Sequence, residues 1–180
     1  MDTPKYPPII VTGPQRSGTT IATYIFADKL GLTPVEEHHF IPGNDYTNCI
    51  IQSPNALDGY IMLQHMYPGV QFLFVRRSPE DIIASMKRVQ WCKDDVFNWE
   101  VFLERYVISR IRLWEHIKQQ IPKVCKEVQY ESLQAYPLFV PAEERQEFTS
   151  KQWHPDHPVG PRYWSNNIDC IKELYASTFQ

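Results

Sequence analysis

Ile9-Ile10-Val11-Thr12-Gly13-Pro14-Gln15-Arg16-Ser17-Gly18-Thr19-Thr20 is the stretch that decides the fold. Its first three residues form an apolar run between Pro8 and Gly13 and predict a short buried strand. From Thr19 to Leu30 the apolar residues Ile21, Tyr24, Ile25 and Leu30 recur at helical spacing, and Gly31 then supplies a terminator. A strand that turns through a glycine loop into a helix gathers backbone N–H groups at the positive end of that helix. Such a loop is suited to an anion, phosphate above all.

Working outward, Gln71 to Val75 predicts a second buried strand after the turn Pro68-Gly69. Pro79 opens a helix to about Val89, with Ser78 as cap and Glu80 and Asp81 favourably placed in its first turn. Ser53-Pro54 predicts a helix start running to about Met66, and Asp95 to Gln120 the longest helix, ended by Pro122. Val124 to Tyr130 reads as a further strand and Ser165 to Ala176 as a terminal helix. Strands separated by helices predict an α/β fold, a parallel sheet flanked by helices in one compact domain over residues 1–180. Ligands then sit at the carboxyl ends of the strands, where the loops after Val11 and Val75 lie.

Composition narrows the function classes. With 18 Lys+Arg against 21 Asp+Glu the chain has a net charge of -3, which argues against nucleic acid as the main partner. Its 13% aromatic content argues for a folded chain. The opening Met1 to Pro8 lacks the basic head and apolar run of a secretory signal, and no apolar run approaches the roughly 18 residues that span a bilayer. A soluble, cytoplasmic protein is expected. Cys49, Cys92, Cys125 and Cys170 are widely spaced without a CxxC, so reduced and buried thiols are expected, not a zinc site or a disulfide framework. The pattern sets no oligomeric state.

The loop itself carries the chemistry. Gly13 and Gly18 have the GxxxxG spacing of a P-loop, yet Thr19 stands where a nucleoside triphosphatase carries its Lys. The positive charge sits inside the loop at Arg16. No Asp follows the Phe72 to Val75 run to anchor magnesium; Arg76-Arg77 follows instead. The pattern is an anion site without a metal site. Arg77 offers a planar fork for bidentate phosphate recognition, and Ser85, two turns into the next helix, a neutral hydroxyl.

In these residues the chain resembles the P-loop sulfotransferases, which move a sulfuryl group from 3′-phosphoadenosine-5′-phosphosulfate (PAPS) to an alcohol, phenol or amine. Pro14 to Thr20 is similar to that family's PxRSGTT loop, which implies that Gln15, Arg16, Ser17, Gly18, Thr19 and Thr20 hold the 5′-phosphosulfate. Arg77 to Ser85 resembles its RxPxDxxxS element for the 3′-phosphate, with Arg77 and Ser85 eight residues apart and Arg76 the spectator. Tyr130 to Pro137 is similar to its YExLxxxP segment. Val159-Gly160 through Trp164 more weakly resembles the loop that covers the nucleotide, which adds Tyr130 and Gly160 to the expected nucleotide contacts. The resemblance implies no metal.

Glu36-Glu37-His38-His39-Phe40-Ile41-Pro42 resembles the EE-x-R-x-IP stretch of tyrosylprotein sulfotransferases, with His39 where they carry Arg. By that resemblance Glu37 is the general base and Arg16 neutralises the departing phosphate. From residue chemistry alone Glu36, His38 and His39 remain rivals, His having the pKa nearer neutrality. His65, His154 and His157 read as surface or loop residues, and the Trp91, Trp99, Trp114, Tyr106 group as core. The expected function is PAPS-dependent sulfuryl transfer to a small-molecule or peptide hydroxyl. The rivals are a P-loop nucleotide or small-molecule kinase and a non-catalytic nucleotide-binding protein of the same fold.

Overall fold

A computed structural model of the chain describes residues 6–139. Five parallel strands, β1 (Ile9–Thr12), β2 (Thr33–Val35), β3 (Cys49–Gln52), β4 (Gln71–Arg76) and β5 (Cys125–Gln129), form one sheet in the order β2-β3-β1-β4-β5. Around it stand the helices α1 (Thr19–Leu30), α2 (Tyr60–Met66), α3 (Pro79–Arg88) and α4 (Trp99–Gln120). The fold is the expected α/β architecture of the P-loop type, with β1 central between β3 and β4.

Side chains alternate along each strand, and both faces are apolar because both are covered. Val11, Ile50, Leu73 and Val75 point to one side, where Ile21, Ala22 and Ile25 of α1 and Leu133 close over them. Ile10, Ile51, Phe72 and Phe74 point to the other, against Leu57, Leu63 of α2 and Trp114 and Ile117 of α4. Phe74 stacks on Trp114 at 4.9 Å between ring centroids, both fully buried. A smaller cluster of Ile82, Met86, Leu103 and Val107 joins α3 to α4.

The predicted bounds of α1 hold to the residue, and α3 ends at Arg88, one residue short of the expected Val89. Gly31 at φ 64° receives the chain after α1 in the left-handed conformation, and the Ser78 hydroxyl accepts the Asp81 N–H to cap α3. Two expectations need correction. The helix predicted from Ser53 begins at Tyr60, after a 3-10 turn over Ala56–Gly59. The reason is that the Ser53 N–H still donates to the Val11 carbonyl at 2.9 Å, extending the sheet pairing past the end of β3. The long helix starts at Trp99, not Asp95, because residues 90–98 run through turns with Gln90, Cys92 and Asn98 all at positive φ. β3, between those elements and β1, is a strand that the sequence pattern did not announce.

Cys125 is buried and its thiol is pushed up to about 11 by burial, whereas Cys49 and Cys92 are only half-buried; all three are free. The predicted helix Ser165 to Ala176, Cys170, His154 and His157 lie outside the described residues. Among the described residues no helix is long and apolar enough to cross a membrane.

Arg76, at the end of β4, is part of the scaffold. Its Nη2 donates to Glu115 of α4 and, at 2.7 Å, to Glu127 of β5. Glu127 also accepts from Trp114 Nε1 at 2.6 Å and Lys118 Nζ at 3.0 Å. Burial alone would raise the Glu127 carboxyl, but the hydrogen bonds from Arg76, Trp114 and Lys118 outweigh it and hold it at about 2, below its ordinary 4.5. A carboxylate depressed on folding adds stability that is full above its unfolded value and is lost as the pH falls toward the folded one. Urea unfolding between pH 4.5 and 2 should therefore show a shallower loss of stability for Glu127→Gln than for the parent. Parallel pH profiles would contradict this account of Glu127.

Candidate functional site

Parallel pairing of β1 with β4, Ile9 opposite Gln71 through Thr12 opposite Phe74, sets the two loops beyond them side by side. The first loop, Gly13 to Gly18, turns through positive φ at Gly13, Arg16 and Gly18, and the Ser17 N–H closes it on the Pro14 carbonyl at 3.1 Å. Left-handed residues alternating with right-handed ones curl N–H groups into a concave anion nest. α1 begins at Thr19 with no side-chain cap and no acidic residue in its first turn, so its positive end faces the loop unopposed by its own sequence. Ser17 is fully buried and its hydroxyl has no hydrogen-bond partner among the described residues. A buried hydroxyl left unpaired costs stability unless a ligand completes it.

The second loop closes on the first. Arg77 Nη1 donates to the Arg16 carbonyl at 3.2 Å, and Arg16 Nε donates to Ser85 Oγ, also at 3.2 Å. Arg88 Nη2 reaches the same Ser85 oxygen at 3.4 Å. Ser85 is buried on α3, and Arg88 follows it one turn later on the same helix face. Three guanidinium groups thus meet around one hydroxyl and one loop carbonyl. The Arg77 guanidinium lies 4.2 Å over the ring of Tyr130, and its buried Nε has no hydrogen-bond partner among the described residues. Tyr130 in turn fills the space beside Gly18, where a Cβ would come within 2.5 Å of its ring. Gly18 is therefore required twice, by its φ of 101° and by Tyr130.

Glu37 approaches the loop from the 3-10 turn Glu37–His39 that follows β2. The Gln15 side-chain amide contacts both its oxygens at 3.4 and 3.5 Å, and Asn55 Nδ2, from the loop after β3, one of them at 3.4 Å. Burial pushes the Glu37 carboxyl above its ordinary value, and the Gln15 hydrogen bond opposes that only in part. Its neighbours have other engagements. Glu36 is buried and accepts from the Tyr24 hydroxyl, with His38 Nε2 3.6 Å from its other oxygen. His39 is exposed and packs its ring on His38 at 4.4 Å. Of the four candidates only Glu37 touches the glycine loop among the contacts of the described residues.

Thr19, at the position of a P-loop lysine, is buried, and its carbonyl accepts from Thr23. Thr20 is half-buried in the first turn of α1, and Gly160 lies outside the described residues. Tyr106 was expected in the core. Its ring does pack on Trp91 and Phe102, but its hydroxyl accepts the Gln15 backbone N–H at 3.2 Å and so belongs to the site. Arg88 and Asn55 are further residues the sequence reading left out. His65 is exposed, as expected. Among the described residues no three His, Cys, Asp or Glu side chains are grouped as metal ligands.

No family model matches the chain. No curated protein matches it either. Among solved structures, a gluconokinase from Sinorhizobium meliloti 1021 is similar over 96% of this chain and 95% of its own, with 15% identity and a TM-score of 0.45. The fold described above rests on the strand order and registers of this chain, and the site on its own distances.

The close approach of Tyr130 to Gly18 gives a direct test. Gly18→Ala places a methyl group against the ring and forces a non-glycine residue into left-handed backbone, and should destabilise the fold by about 1 to 3 kcal/mol. Chemical denaturation checks this; an unchanged midpoint would mean the loop relaxes freely at that position.

Proposed function

We propose that the chain is a PAPS-dependent sulfotransferase acting on a small-molecule or peptide hydroxyl. The observation that carries this reading is the convergence of Arg16, Arg77 and Arg88 on Ser85 and the Arg16 carbonyl, directly beside the anion nest. A nucleotide with phosphate at both its 5′ and 3′ positions needs two adjoining anion sites. The loop after β1 suits the first and the loop after β4 the second. The buried hydroxyl of Ser17 and the buried Nε of Arg77, both without a partner among the described residues, are hydrogen-bonding groups that such a ligand would complete.

The chemistry of transfer then divides among the chain's own residues. Glu37 takes the proton of the acceptor hydroxyl as that oxygen bonds to sulfur. The bond from sulfur to the bridging oxygen breaks, and its electron pair stays on the 5′-phosphate. Arg16 and the N–H groups of the nest face that developing charge, where fixed donors lower the barrier most. Glu37 suits its role because neutral amides hold it and burial raises its proton affinity, which brings a carboxylate nearer the working pH of a general base.

The second reading is a P-loop nucleotide or small-molecule kinase, the class named for the similar gluconokinase. The architecture accommodates it equally. Against it stand Thr19 in the place of the lysine and the engagement of Arg76, at the end of β4, with Glu115 and Glu127. A non-catalytic nucleotide-binding protein would share the two anion sites and lack turnover.

Calorimetry separates the sulfotransferase reading from the kinase reading at Arg77. Arg77→Ala should weaken adenosine 3′,5′-bisphosphate by about 1.5 to 3 kcal/mol, the cost of losing a charged hydrogen-bonding partner, and leave adenosine 5′-phosphate nearly unchanged. Equal losses for both nucleotides would refute a 3′-phosphate site at Arg77.

A further inference from the structure

Gln15 stands in the glycine loop, yet its backbone N–H and side-chain amide nitrogen are engaged elsewhere. Its backbone N–H, which a loop of this kind would offer to the anion, donates to the Tyr106 hydroxyl at 3.2 Å. Its side-chain amide goes to Glu37, reaching both carboxylate oxygens at 3.4 and 3.5 Å. One residue thereby joins three elements: the loop after β1, the turn after β2 and the long helix α4. Tyr106 is itself held by ring contacts at 4.9 Å to Trp91 and 6.1 Å to Phe102, so the anchor is rigid.

We propose that Gln15 is a positioning residue for Glu37, its main chain anchored by Tyr106 so that its side-chain amide fixes the carboxylate beside the glycine loop. The proposal rests on the reading of Glu37 as the base. A neutral donor is the suitable partner here. An arginine at the same place would hold the carboxylate ionised and spend its basicity, whereas a neutral amide fixes orientation and lowers the proton affinity less.

Other groups face this carboxylate. Tyr106 and, behind it, Arg110 come from α4, Arg110 lying 5.5 Å over the Tyr106 ring and pairing with Asp58 at 2.6 Å. Glu36, His38 and His39 flank Glu37 in the chain. Gln15→Met removes the donor while leaving all of these in place, and Tyr106→Phe removes the anchor while keeping the ring. Loss of a donor to the carboxylate favours its protonated form, so the Glu37 titration must move to higher pH.

The test is a carbon-13 NMR titration of Glu37 in the ligand-free protein, paired with the pH dependence of sulfuryl transfer to an alcohol. In Gln15→Met the titration midpoint should rise by about 0.5 to 1 pH unit, a three- to tenfold gain in proton affinity. The acidic limb of the rate profile should move with it. Tyr106→Phe should shift the midpoint in the same direction by less. An unmoved midpoint in Gln15→Met overturns the proposal whatever the protein catalyses. A moved midpoint in a protein that transfers no sulfuryl group supports the contact and overturns the function assigned to it.

Discussion

Pairing of β1 with β4 is the constraint on which the rest of the molecule depends. Those two strands carry the glycine loop and the Arg77 loop, and their register, with Thr12 beside Phe74, brings Arg77 within hydrogen-bonding distance of the Arg16 carbonyl. The register is secured from both faces. Val11 and Val75 are buried under α1, and Phe74 is stacked on Trp114. A slip of one residue would exchange the two faces and carry Phe74 into the space that Ala22 and Ile25 leave for smaller side chains. Burial of the sheet thus fixes the distance between two charged loops.

Charge is distributed to match. Arg76 and Arg77 are adjacent in sequence but leave β4 for opposite partners, Arg76 to Glu115 and Glu127 and Arg77 to the loop and Tyr130. The first supports the sheet edge and the second faces the glycine loop. The same division holds between Glu36 and Glu37. Glu36 is buried against Tyr24 and serves packing, whereas Glu37 receives amide donors from Gln15 and Asn55 among the described residues and keeps a raised proton affinity.

Much of this was legible in the sequence because its signals are local. The strand-loop-helix of residues 9–30 and the Ser78-Pro79 start of α3 are specified by caps, glycines and spacing within a dozen residues. What stayed hidden depends on distant partners. β3 is four residues long and draws its identity from pairing with β1 and β2. Asn55 becomes meaningful only once β3 places it at the carboxyl end of the sheet. Tyr106 reads as core because its ring is core; that its hydroxyl meets Gln15, 91 residues away, is a fact of tertiary structure. Arg88 did leave a signal, three residues beyond Ser85 on one helix face.

The central claim is that these two joined anion sites serve sulfuryl transfer. It is tested most directly by incubating the protein with sulfur-35-labelled PAPS, a mixture of alcohols, phenols and tyrosine peptides, and excess EDTA. The account predicts labelled acceptor under chelation, abolished in Arg16→Ala. No transfer from PAPS, together with magnesium-dependent phosphoryl transfer from γ-labelled ATP, would contradict it and assign the site to a kinase.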